Sequence, residues 1–372
     1  MADKQMRSIS RRRFLKTTAG TLALSSIPAI IIPRRVEAYG GGAQVHPYIS
    51  PLRVVGLRDQ NMTTAVKANA SWAEQEGLVA WDVVQQSMDK LAVALAQESA
   101  PADAWRKIFL KPPAKAWGDT VVAIKTNQIA IQRTRSAVMS KVCHVLAALG
   151  VKGSNIHVYD ACHGRGMSRN NPFTRLPDGV HLADQWGGSR TNTTVPAPYF
   201  DGDRQAPCLG HLVSGDADIL VNIALCKGHG SGFGNFTMSL KNHFGTFSPK
   251  PSHQDGGGAD YLIGINKSKE ILGEIDPKTG AVLFPRQQLC IVDTLWASNP
   301  GPGTPTDSQP NALFMSTFGP ALDHVVAMRF RKDTMGWRVN EQVAKRFLTD
   351  FGFAESDLPN GGQIIDAMAL AS

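Results

Sequence analysis

The 372 residues carry 39 Lys and Arg against 31 Asp and Glu, but eight of the basic and only two of the acidic residues fall within positions 1–38. The remaining 334 residues hold 31 basic against 29 acidic side chains, a balance that leaves a nucleic-acid partner without the clustered basic surplus it needs. The five cysteines form no C-x-x-C pair, which excludes a thioredoxin-type motif, a c-type haem site and a cysteine-only iron–sulfur run.

The chain opens on Ser10-Arg11-Arg12-Arg13-Phe14-Leu15-Lys16, followed by a mildly apolar stretch from Thr17 to Ile32 and a small-x-small signal at Val36-Glu37-Ala38. This order resembles a twin-arginine export signal, which implies the twin-arginine translocase as a partner and a periplasmic or extracellular destination reached in the folded state. The apolar stretch is interrupted by Gly20, Ser25, Ser26 and Pro28 and falls short of the ~20 apolar residues of a span, so no stable membrane anchor is expected. The expected organisation is a signal at 1–38, a Gly-rich linker at 39–50 and one α/β domain over 51–372.

Within that domain short β-branched runs alternate with helical spacings. Strands are expected at Leu52 to Leu57, Val121 to Ile124, Ile156 to Tyr159, Ile219 to Ile223 and Leu289 to Val292. Helical repeats join Val84, Met88, Leu91 and Leu95, then Val138, Val142, Val145 and Leu149, then Val343, Phe347 and Phe351. The alternation predicts an α/β fold with a largely parallel sheet flanked by helices. Residues 163–210 form a long polar insertion and 296–311 a Gly/Pro loop. Cys143 and Cys290 read as small buried hydrophobes. Cys162, Cys208 and Cys226 lie in or beside loops, where two of them are able to pair.

The polar residues that follow each strand carry the chemistry. Ligands of open parallel sheets bind outside the carboxyl ends of the strands. Here those ends bear Lys125 and Asn127, Asp160, Cys226, Lys227 and His229, and Asp293. Gly228 and Gly230 let the backbone approach a ligand, and a helix expected from about Asn235 to His243 would set Thr237 and Lys241 on one face, with Asn242 beside them. Lys125, Lys227 and Lys241 suit an anionic small molecule, which Asn127 and Thr237 would orient. His229 is the candidate for proton transfer, because imidazole ordinarily titrates near neutrality. Asp160 and Asp293 are candidate Mg²⁺ ligands beside a phosphate, and Cys226 with His229 a candidate thiolate/imidazole pair. No cofactor box is recognisable. A catalytic protein and a non-catalytic metal- or cofactor-binding protein both fit these residues.

Lys125-x-Asn127, Lys227-x-His229, Thr237-x-Ser239-Leu240-Lys241-Asn242-x-Phe244-Gly245, Ile291-Val292-Asp293, Gly301-Pro302-x-x-Pro305 and Gly319-Pro320-Ala321-Leu322-Asp323 together resemble domain-of-unknown-function family 362, from about Val54 to Phe330. The resemblance implies an α/β fold. Members are often fused to ferredoxin-like modules or exported by the twin-arginine route, which suggests a redox role. It supplies no established activity.

Overall fold

Two runs of apolar residues, Ile219–Gly228 and Gln287–Ser298, are buried along their whole length and form the centre of the sheet. In both, alternate residues enter different cores: Ile219, Val221, Ile223, Leu289, Ile291 and Leu295 pack on one face, and Leu220, Cys226, Cys290 and Val292 on the other. A strand covered on both faces carries apolar residues on both, which is why Leu289–Val292 and most of Ile219–Cys226 show no polar alternation. The computed structural model describes residues 45–128, 131–161, 172–184, 191–195, 205–253, 256–276 and 282–369. The expected signal at 1–38, residues 39–44 of the linker, and Cys162 lie outside the described residues.

The strands are β1 (Val55–Arg58), β2 (Val122–Lys125), β3 (Ile156–Asp160), β4 (His181–Asp184), β5 (Thr191–Thr194), β6 (Gln205–Cys208), β7 (Ile219–Gly228), β8 (Phe236–Thr237), β9 (Gln287–Ser298), β10 (Ala312–Ser316) and β11 (Ile365–Asp366). The main sheet runs β11-β1-β10-β9-β7-β2-β3-β4, with β8 added to β7, and β5 pairs with β6 in a separate ribbon. From β9 to β4 every neighbouring pair is parallel; β10 runs antiparallel to both its neighbours. The expected α/β fold with a largely parallel sheet is therefore present, and the polar insertion contributes β4, β5 and β6.

Helices α1 (Trp72–Leu78), α2 (Trp81–Ala96), α3 (Pro101–Ile108) and α4 (Ser136–Ala148) precede or follow the first strands. Val84, Met88, Leu91 and Leu95 of α2 share a core with Val138, Val142 and Leu146 of α4, against Ile156, Val221 and Ile291. The opposite face is covered by α5 (Ser239–Asn242), α6 (Gly258–Asn266), α7 (Gly319–Val325) and α8 (Glu341–Thr349), through Leu240, Leu262, Leu322 and Phe347. Among the described residues no helix is long and apolar enough to cross a membrane.

Two local expectations are corrected. The segment from Asn235 is not one helix: Gly234 and Asn235 take left-handed φ of 91° and 66°, and the chain turns back so that Thr237 pairs with Lys227 as β8. The helix that follows is confined to Ser239–Asn242, with a tighter turn over His243–Gly245. The strand expected to end at Val292 continues to Ser298, which places Asp293 inside β9.

Candidate functional site

Register brings the strand-end residues together. Lys125, last in β2, lies between Tyr159 of β3 and Asn222 of β7. Its side chain is 1% exposed, and its ammonium donates to Asp160 Oδ1 (2.8 Å), the Thr126 carbonyl (2.6 Å) and Asn242 Oδ1 (3.3 Å). A lysine has three protons to give, and all three are used. Asp160 also accepts the backbone N–H groups of Gln128 and Ala161, each at 2.8 Å. Gly245 packs on this pair so closely that a side chain there would overlap Asp160 Oδ1 and Lys125 Cε.

Asn242 is the hub. Its Nδ2 donates to Asn222 Oδ1 (2.8 Å) and the Ile223 carbonyl (3.2 Å), while its Oδ1 accepts from Lys125 and from Asn127 Nδ2 (3.4 Å). Donors and acceptors match on both sides of the amide, which fixes its orientation. Below it, Asn222 donates to the Ser239 carbonyl at 2.9 Å and faces His243 Nε2 at 3.0 Å. His243 Nε2 meets Gln287 Oε1 at 2.7 Å, and its Nδ1 meets Thr246 Oγ1 at 3.0 Å, which in turn contacts the Tyr159 hydroxyl at 2.7 Å. Burial pushes His243 down to about 3, so it stays neutral within this layer. The short helix that presents Lys241 and Asn242 is anchored by Asp323 of α7, whose two carboxylate oxygens accept the Ser239 and Leu240 N–H groups at 2.8 Å each. These are otherwise unpaired donors at a helix start.

Above the hub the site is cationic. Lys227 is 2% exposed and donates to Asn127 Oδ1 at 2.8 Å. Lys241 is partly exposed, and its ammonium lies over the rings of Phe244 (4.4 Å) and Phe233 (5.1 Å), so it does reach back to the glycine loop. Among the described residues neither lysine has a carboxylate within ion-pair distance. Burial, reinforced by Lys241, pushes Lys227 down to about 7; burial, reinforced by Lys125, pushes Lys241 down to about 7. His229 accepts the Gly230 N–H on Nδ1 at 2.8 Å, which puts the proton of the neutral ring on Nε2. Its ring lies 4.6 Å from Phe233 and 5.9 Å from His253. Burial and then Lys241 hold it down to about 3, whereas the two lysines change charge near neutrality.

The remaining expected residues sit as follows. Thr237 is buried on β8 directly beside Lys227. Gly228 is pressed against the Asn299 carbonyl, leaving no room for a side chain, whereas Gly230 faces open space. The residues considered as metal ligands stand apart. Asp160 holds Lys125, Cys226 is a free buried thiol with Arg331 Nη1 at 3.5 Å, and Asp293 accepts the Arg135 N–H at 2.8 Å with its Nε at 3.4 Å. Asp293 and Asp160 lie on strands three inter-strand steps apart, about 14 Å. Among the described residues no group of three or more His, Cys, Asp or Glu side chains is placed to share a metal ion. Cys226 lies within β7 rather than a loop, as a free buried thiol. Cys143 and Cys290 are buried as expected.

Residues not anticipated from the sequence include Asn222, Gln287, Asp323 and Gln128, whose fully buried side-chain amide has no hydrogen-bond partner among the described residues. Asn222 did leave a signal, as the single polar residue inside the apolar run Ile219 to Cys226. A family model described as "Domain of unknown function (DUF362)" matches residues 122–328, more than half of the chain and every residue of the site. No curated protein and no solved structure matches it.

Proposed function

The chain belongs to the DUF362 family, and we propose that it is an exported enzyme that binds an anionic small molecule between Lys125, Lys227 and Lys241. The observation that supports this reading is the imbalance of charge: three ammonium groups converge, and among the described residues the carboxylate in contact with them is Asp160, already committed to Lys125. Buried charges are ordinarily paired, and a site that leaves cations unpaired at a cost is matched to a ligand that pairs them. Asn127 holds Lys227, and Asn242 ties Asn127 to Lys125, so two of the three cationic positions share one hydrogen-bonded unit, and Lys241 precedes Asn242 on the same short helix. An amine that titrates near 7 exchanges protons readily at physiological pH, which favours catalysis over passive binding. A bound anion would also lift His229 toward its ordinary range and restore it as a proton carrier.

Calorimetric titration with sulfate, whose charge is constant between about pH 5 and 10, tests the site. Sulfate favours the protonated lysines, so affinity should be greatest at or below about pH 7 and fall as the pH rises, with proton uptake on binding near pH 8. Lys227→Met and Lys241→Met should each abolish most of this binding. Affinity independent of pH and of both lysines would remove the anion site. Export of the folded chain through the segment around Arg11 and Arg12 belongs to the same proposal, and its test is given below.

A further inference from the structure

The three lysines of the site are not equivalent. Lys125 and Lys227 are nearly inaccessible, and each is tied by hydrogen bonds. Lys241 alone keeps partial exposure, and among the described residues its nitrogen has neither a hydrogen-bond acceptor nor a carboxylate. Its surroundings are the rings of Phe233 and Phe244, with His253 packed against both (5.2 and 5.3 Å) and His229 against Phe233. Among the described residues, the charged or titratable groups bearing on it are Lys125, Lys227, His229 and His253, all of them basic. This is the environment that converts a lysine from an anion binder into a nucleophile: desolvation, neighbouring cations and a free nitrogen.

We propose that Lys241 forms an imine with the carbonyl carbon of a small anionic aldehyde or ketone whose carboxylate or phosphate is held by Lys227, a role that rests on the anion-site reading above. The neutral amine's lone pair attacks the carbonyl carbon, and the C–N bond forms as the carbonyl π pair moves to oxygen. The oxygen takes up a proton as the nitrogen gives one up, yielding a carbinolamine. Cleavage of its C–O bond then releases one water and leaves the C=N bond; no oxidant or reductant is needed. With Lys241 pushed down to about 7, roughly half of it is nucleophilic at neutral pH, against about one in 10³ for an ordinary lysine. The cation–π contacts work against this, and burial with the nearby ammonium of Lys125 outweighs them.

Reductive trapping decides the matter. The purified chain is incubated at pH 7 with glyoxylate and cyanoborohydride, and the modified lysines are mapped by peptide mass spectrometry over time. Lys241 should be labelled at least about tenfold faster than exposed lysines such as Lys67. The preference should be suppressed by sulfate, lost in Lys241→Arg, and smaller when uncharged acetaldehyde replaces glyoxylate. The wild-type labelling pattern is decisive without any variant. Labelling of Lys241 no faster than the surface lysines, in protein that binds sulfate by calorimetry, overturns the imine and leaves the anion site standing; absence of sulfate binding as well removes both.

Discussion

Lys227→Met should make the unliganded protein more stable, and the gain should depend on pH. Moving the Lys227 ammonium from water into the site lowers its pKa from 10.5 to about 7, a cost of about 5 kcal/mol to the charged form. The side chain is 2% exposed, so solvent screening relieves little of this. Methionine has nearly the same shape and no charge. Its introduction sacrifices the hydrogen bond to Asn127 Oδ1, worth about 1–2 kcal/mol, so the net gain at pH 6 should be about 2–4 kcal/mol. Between about pH 7 and 10.5 the unfolded chain keeps a proton on Lys227 that the folded chain has lost. Wild-type stability therefore rises with pH across that window, and the cost is fully present below it. The advantage of the variant should accordingly shrink to nothing near pH 10. Reversible denaturant unfolding of both proteins at pH 6, 8 and 10 measures it, and added sulfate should stabilise the wild type alone. If Lys227→Met lowered stability by the same amount at pH 6 and pH 10, Lys227 would have to be compensated by a counter-charge, and the unpaired-cation reasoning would fail.

Asn242→Asp would place a carboxylate 3.3 Å from Lys125 Nζ and 3.4 Å from Asn127 Nδ2, supplying the missing negative charge. Sulfate affinity by calorimetry should fall at least about tenfold. Asp323→Asn turns a donor toward Ser239 or Leu240 in place of an acceptor and should cost about 1–3 kcal/mol by denaturant unfolding at neutral pH. Burial also raises Asp323 to about 7, so the folded state keeps a proton that the unfolded state releases above 3.8; the wild type loses this contribution as pH rises from about 4 to 7, and the variant should not. Replacing Arg11 and Arg12 together by lysine should leave the precursor inside the cell, read by fractionation and immunoblotting; undiminished export would refute the twin-arginine reading.

How much of this was legible in the sequence follows from the range of the interactions involved. Strands and helices declared themselves through local periodicity; Lys125, Asn127 and Lys227 stood out because polar residues directly follow apolar runs, and Lys241 and Asn242 because they lie on the helix expected after the glycine-rich loop. Parallel register then does the rest, since strand ends on neighbouring strands converge. Thr237 was misplaced because a glycine followed by asparagine opens a helix or closes a hairpin equally well, and the choice depends on left-handed φ values that only the fold stabilises. Asp293 was read as a strand end because a polar residue after an apolar run ordinarily is one. Here Arg135, 158 positions earlier, gives the aspartate a buried partner and lets β9 continue. Asp323 reaches α5 across 84 positions and leaves no local trace of its role. The assignment of proton transfer to His229 used the imidazole's ordinary range, and the depression of that range by burial and then by Lys241 is visible only once the fold is in place.

The choice of amides over carboxylates beneath the lysines explains why the site retains its charge. Asn222, Asn242, Gln287, Thr246 and Tyr159 satisfy one another, together with neutral His243, through hydrogen bonds that carry no net charge. Aspartate at position 222 or 242 would fill much the same space and would neutralise the lysines from below, and burial would then favour a closed ion pair with nothing left for a ligand. Satisfying the buried hydrogen bonds with neutral groups stabilises the frame while leaving the cations above it uncompensated, so the instability is confined to the face that meets solvent through Lys241. A layer built for stability alone would place its carboxylates where these amides are. That it does not, while Asp160 pairs with Lys125, is the arrangement that the proposed anion site requires.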